Sequence, residues 1–95
     1  MKINELKPDM NSVNIKAKIT ELKEPREIMT KFGTATTLTE AVLEDETGTI
    51  KLTLWGKQAD GLESEKEVEI NGGFTKEFRE ELQVGIGKRG SIKVI

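Results

Sequence analysis

From Val13 onward the apolar side chains fall on alternate positions, Val13, Ile15, Ala17 and Ile19, with Asn14, Lys16, Lys18 and Thr20 between them. Period two predicts a strand with one buried and one solvated face. Thr49-Ile50-Lys51-Leu52-Thr53-Leu54-Trp55 alternates as strictly, and Asp45-Glu46-Thr47-Gly48 supplies a tight turn joining it to the β-prone run Thr37–Leu43. These two runs read as a hairpin of second and third strands. Glu67-Val68-Glu69-Ile70 predicts a fourth strand and Leu82–Ile86 a fifth.

The connections are as informative as the strands. Leu6–Met10 reads as a turn leading in, and Lys23–Thr36, polar and containing Pro25 and Gly33, as a long basic loop. Gly56–Leu62 has room for one or two helical turns. Five strands, a long first loop, a short helical segment between strands 3 and 4 and a loop before strand 5 predict an all-β fold, a five-stranded OB-fold barrel. An SH3-like barrel is the nearest rival, and the helical segment argues against it. With no internal repeat, low-complexity tract or linker, residues 1–95 read as a single domain.

Composition narrows the chemistry. The chain has neither Cys nor His, which removes disulfides, the usual structural zinc sites, thiol nucleophiles and imidazole-dependent triads. No nucleophile–base pair or metal cluster is evident, so the expectation is a binder and not an enzyme, with no cofactor. Glu44-Asp45-Glu46 reads as hairpin chemistry and not as metal ligation. Gly85–Gly90 lacks the spacing of a phosphate-binding loop. No apolar run approaches the ~18 residues of a membrane span, and the N-terminus lacks the apolar core of a signal peptide, so the expected compartment is the cytoplasm, without membrane contact. Net charge is −2, from 15 basic and 17 acidic residues. Local distribution outweighs that sum, because charges are screened over about 8 Å at physiological ionic strength. Acids cluster at Glu44–Glu46 and Glu63–Glu69, whereas residues 82–95 carry Lys88, Arg89 and Lys93 and no acid.

Parity then selects candidate binding residues. If Ile50, Leu52 and Leu54 fill the barrel, Lys51, Thr53 and Trp55 point outward together. An exposed indole beside a lysine offers a stacking surface for an unpaired base and a cation for its phosphate. Phe74, Lys76, Phe78 and Arg79 interleave rings and cations in the predicted loop before strand 5. Regular strand parity would send Phe74 inward with Val68 and Ile70, and a bulge at Gly72-Gly73 would turn it out. In the long first loop Lys31 is a candidate contact, while Phe32 is expected to anchor the loop. Lys88 is placed to meet a backbone phosphate.

The run Asp45–Lys57 closely resembles the archaeal single-stranded DNA-binding proteins related to replication protein A. Leu6–Met10, Ser12–Asn14, Thr30-Lys31 with Gly33, and the Phe74/Phe78 pair resemble the same family in the same order. The resemblance implies an OB-fold and sequence-tolerant binding of single-stranded DNA in replication, recombination or repair. It implies stacking on Trp55, Phe74 and Phe78, with support from Lys31 and Lys88. Two departures stand out: Phe74 occupies a position where many relatives have Trp, and Glu80 one where they have Gly. No counterpart of the C-terminal tail that some relatives use for protein partners follows Ile95, so the expectation is either a protein that works without one or a domain of a longer chain. Partners expected besides single-stranded DNA are RNA, other replication or repair proteins and further OB domains. The rival readings are a protein-interaction module within a multi-subunit complex and a single-stranded RNA binder.

Overall fold

The computed structural model describes Met1–Ile95 apart from Asp60 and the side chains of Lys88 and Arg89. Its strands are β1 (Val13–Leu22), β2 (Arg26–Met29), β3 (Ala35–Asp45), β4 (Gly48–Trp55), β5 (Glu67–Phe78) and β6 (Glu81–Val94), with 3-10 turns at Ile3–Glu5 and Gly56–Ala59. The strand order is β1-β5-β6-β4-β3-β2, and a further β1–β3 pairing closes β1, β3, β4, β5 and β6 into a five-stranded barrel. All pairings are antiparallel except β4–β6, which run parallel over Lys51–Thr53 and Gln83–Gly85. This is the OB-fold expected from the strand pattern, with a 3-10 turn as its short helical segment.

Alternation fills the barrel as expected. Val13, Ile15, Ala17 and Ile19 of β1 meet Ala41 and Leu43 of β3, Ile50, Leu52 and Leu54 of β4, and Val68, Ile70, Val84 and Ile86 from β5 and β6. Each fully buried aliphatic side chain contributes about 1.5–3 kcal/mol. Ile3 and Leu6 close one end, positioned by the Ile3 N–H donating to Asp45 Oδ2 at 2.8 Å and the Asn4 N–H to Thr47 Oγ1 at 3.1 Å. β1 serves two neighbours, pairing with β5 through Lys18 and with β3 from Lys18 to Leu22, across a register shift between Ile19 and Glu21.

Two expectations about the connections are corrected. The polar stretch Lys23–Thr36 is not all loop: Arg26–Met29 forms β2, paired with Ala35–Leu38 around a turn in which Gly33 has φ 79°. Of these four residues only Ile28 is a strong β-former, and pairing with β3 compensates for the polar residues around it. The expected loop between the fourth and fifth strands is also strand. β5 runs on to Phe78 and turns back through Arg79 and Glu80 alone.

What lets β5 continue is a bulge. Gly72 takes φ 73°, its N–H donates to Asn14 Oδ1 at 3.1 Å, and in the β1–β5 register three steps of β5, from Ile70 to Gly73, oppose two of β1, from Val13 to Ile15. The extra residue inverts side-chain parity beyond it. The inverted parity is held by Thr75, only 3% exposed, which bonds the backbone of the N-terminal segment. Its hydroxyl donates to the Lys7 carbonyl and accepts the Met10 N–H at 2.8 Å, and its own N–H donates to the Met10 carbonyl at 3.0 Å. A buried hydroxyl needs such partners, and finding them fixes which way the strand faces.

Candidate nucleic-acid interface

With Thr75 inside, Phe74, Lys76 and Phe78 share the outer face of β5. Phe74 therefore does not take the inward parity of Val68 and Ile70. Cross-strand register places its neighbours. Phe74 pairs with Gly85 of β6, which aligns with Thr53 of β4, which pairs with Glu40 of β3. One step along the strands, Lys76, Gln83, Lys51 and Val42 make a second row. Trp55 stands beyond the first row, opposite Leu38, and Phe78 beyond the second, opposite Glu81. The three rings therefore cross the sheet diagonally from Trp55 through Phe74 to Phe78.

Trp55 is 42% exposed and Phe78 55%, while Phe74 is half-buried. Thr53, Trp55, Phe74, Lys76, Gln83, Val84 and Gly85 line a groove of about 160 Å³, open to solvent. Its floor is low because Gly85 has no side chain; the tip of the Phe74 ring occupies that space. Thr53 Oγ1 donates to Gln83 Oε1 at 3.2 Å on the groove wall. The Trp55 end is fixed by Gln58, which accepts the Trp55 N–H at 2.9 Å and donates to the Ile86 carbonyl at 3.2 Å. Phe78 carries the Arg79 guanidinium over its ring at 5.3 Å from the centroid, a cation–π contact at the hairpin tip.

The predicted cations fare differently. Lys76 and Arg79 are exposed, and among the described residues neither makes an ion pair. Lys51 is outward as expected but already occupied, its amine 3.4 Å from Glu40 Oε2 and 3.6 Å from Glu81 Oε1. Lys31 lies at the tip of the β2–β3 hairpin, apart from the groove lining, with its amine 5.4 Å from the Phe32 ring centroid. The expectation for Lys88 lies outside the described residues.

Phe32 is a further correction. It anchors nothing, being 83% exposed beside Met29 at 69%. The turn needs no aromatic anchor, because Thr30 closes it by itself. Its N–H donates to the Thr34 carbonyl at 2.9 Å, and its carbonyl accepts the Gly33 N–H at 2.9 Å. Its hydroxyl accepts the Phe32 and Thr34 N–H groups at 3.3 Å each.

Gln83, Gly85 and Glu40 were missed by sequence reasoning. Gly85 and Gln83 occupy a strand whose alternation was recognised, but their place beside Thr53 and Phe74 depends on the β4–β6 pairing. Glu40 had no signal, because its partners come from separate elements. Among the described residues no cluster of acids is arranged to hold a metal ion, and no helix is long and apolar enough to cross a membrane.

Known proteins place this chain in a family. The family model described as single-stranded DNA binding protein Ssb-like, OB fold, matches residues 6–94. The single-stranded DNA binding protein Ssb of Saccharolobus solfataricus is 41% identical over 91 residues, covering 96% of this chain; the chain spans 61% of that protein's length. Among solved structures, the second OB-fold domain of replication protein A from Methanococcus maripaludis superposes with a TM-score of 0.85 at 30% identity, covering 100% of this chain and 93% of that one. An OB domain from Thermoplasma acidophilum, at 22% identity, shares the fold with a TM-score of 0.81, covering 100% of this chain and 85% of its own. The chain thus belongs to the Ssb-like OB-fold family of single-stranded DNA binding proteins.

Proposed function

We propose that residues 1–95 act as one domain that binds single-stranded DNA with little regard to sequence and carries out no catalysis. Unpaired bases stack on Trp55, Phe74 and Phe78, and phosphates meet Lys76 and Arg79, with Lys51, Thr53, Lys31 and Lys88 as further contacts. The supporting observation is the alternation Phe74–Lys76–Phe78 on one outer face, with Trp55 across the Gly85 groove. Ring, cation and ring repeat along β5 as base and phosphate repeat along a strand. Stacking is sequence-tolerant because every base has a π-face, and three stacked bases supply roughly 3–9 kcal/mol gross. Ordering costs leave a single barrel with modest affinity, which several barrels on one strand would raise. The setting is replication, recombination or repair in the cytoplasm or nucleoid.

Titration with oligo-dT, read by Trp55 emission, tests this reading. Quenching that saturates and weakens with salt is expected. Unchanged emission at millimolar oligonucleotide refutes it. Matched RNA titrated in parallel reports the preference between the two nucleic acids.

A further inference from the structure

Glu40 stands on the outer face of β3, opposite Thr53, and three cations from different elements converge on its carboxylate. Arg26 Nη2 reaches Oε1 at 2.9 Å, Lys51 Nζ reaches Oε2 at 3.4 Å and Lys23 Nζ reaches Oε2 at 3.7 Å. The Glu40 side chain is 18% exposed, whereas those of Arg26 and Lys23 are 63% and 54% exposed. The carboxylate is therefore fixed on the sheet while two of its partners are free to swing. The ion-paired set is three cations to two carboxylates, Glu40 and Glu81, while Glu21, Glu24 and Glu80 line the concavities beside it. Lys23, Glu40 and Lys51 also border a concavity of about 700 Å³, which extends past Glu81 and has no aromatic ring among its lining residues.

We infer that Lys23, Arg26 and Lys51 form a phosphate site for the DNA backbone, in which Glu40 holds the cations together and competes with the phosphate for them. The inference rests on the single-stranded DNA reading above and extends its path. The row Phe74–Gly85–Thr53–Glu40 crosses the sheet in three strand steps of about 4.8 Å each, so a strand leaving the aromatic groove over Thr53 arrives at this cluster. Exposed ion pairs contribute little, so a phosphate draws Arg26 and Lys23 off Glu40 at small cost. Glu40 cannot follow them, and its charge opposes the incoming phosphate. The result is a site with built-in restraint, which binds more weakly than its three cations alone would.

Glu40→Gln keeps the shape and removes the charge. Oligo-dT binding is expected to tighten several-fold at low salt. The slope of log affinity against log salt should steepen by roughly 0.7 for each phosphate newly engaged. Glu69→Gln is the control: it removes one charge on the barrel's far side, where Glu69 pairs with Lys16 and Lys93, and should change little. A second variant, Lys23→Gln with Arg26→Gln, alters only exposed side chains and should weaken binding and flatten the slope. Equal behaviour of E40Q and E69Q, weaker binding by E40Q with its thermal melt unchanged, or an unaltered slope in the double variant overturns the inference alone. A chain that binds no oligonucleotide overturns it together with the reading it rests on.

Discussion

The tip of the Phe74 ring covers Gly85 so closely that a methyl group added at Gly85 would stand 2.5 Å from Phe74 Cζ and 2.9 Å from Cε1. The glycine is thus part of the aromatic groove, and its missing side chain is where the ring leans. Gly85→Ala should displace Phe74 outward. Because the clash is with the end of a side chain and not with backbone, stability should fall by no more than about 1 kcal/mol. Oligo-dT affinity should fall several-fold. An affinity change without a matching shift in the thermal melt is the expected signature, and unaltered affinity would separate Phe74 from binding.

Trp55→Ala removes the chain's single indole from the barrel face. Since base–aromatic stacking contributes about 1–3 kcal/mol, binding should weaken by about 5- to 150-fold. The fold should survive, because the indole lies outside the core. Phe78→Ala should act in the same direction, and anisotropy of a labelled oligonucleotide measures both variants without relying on tryptophan emission.

Arg79 and Glu80 both have positive φ, 52° and 66°, in the two-residue turn between Phe78 and Glu81. Such hairpin turns suit Asn-Gly, and a non-glycine residue in the left-handed region is strained by about 1–2 kcal/mol. Glu80→Gly relieves one of these strains, offset in part by the greater entropy of glycine in the unfolded chain. A net gain of about 0.5–1 kcal/mol follows, raising the melting temperature by a few degrees. Binding should strengthen slightly as an acid leaves the edge of the aromatic face. A lower melting temperature would show that Glu80 makes compensating contacts.

Acid should loosen the closed end of the barrel. Burial raises the Asp45 pKa, yet the Thr47 hydroxyl and the backbone N–H groups of Ile3, Thr47 and Gly48 outweigh it and hold the carboxyl below the ordinary value of 3.8. Glu69 lies below its ordinary 4.5, first through Asn71 and then through Lys93. A carboxyl with a lowered folded pKa stabilises above its unfolded value, and that contribution is lost as pH falls through the folded one. Thermal stability should therefore fall from about pH 5 downward, and Asp45→Asn should flatten part of that dependence. A profile unchanged by the substitution would contradict the role given to Asp45.

Alternation of apolar and polar residues was sufficient for β1, the β3–β4 hairpin, the core and the outward face of Trp55. Period two is a property of the local chain, and one buried face is enough to impose it. β2, the length of β5 and the orientation of Phe74 were not legible in the same way. Each depends on a partner distant in sequence: β2 on the start of β3, Phe74 on Asn14 holding the bulge and on the Lys7–Met10 backbone receiving Thr75.

The same division holds for the binding face. Which residues could stack or carry charge was settled by their chemistry, so Trp55, Phe74, Lys76 and Phe78 stand out in the sequence itself. Which are available was decided by tertiary structure alone: Phe32 is left in solvent by a turn that closes itself, and Lys51 is held by Glu40 and Glu81. Ring and charge belong to a single residue, whereas exposure and ion pairing belong to the set of neighbours that folding assembles.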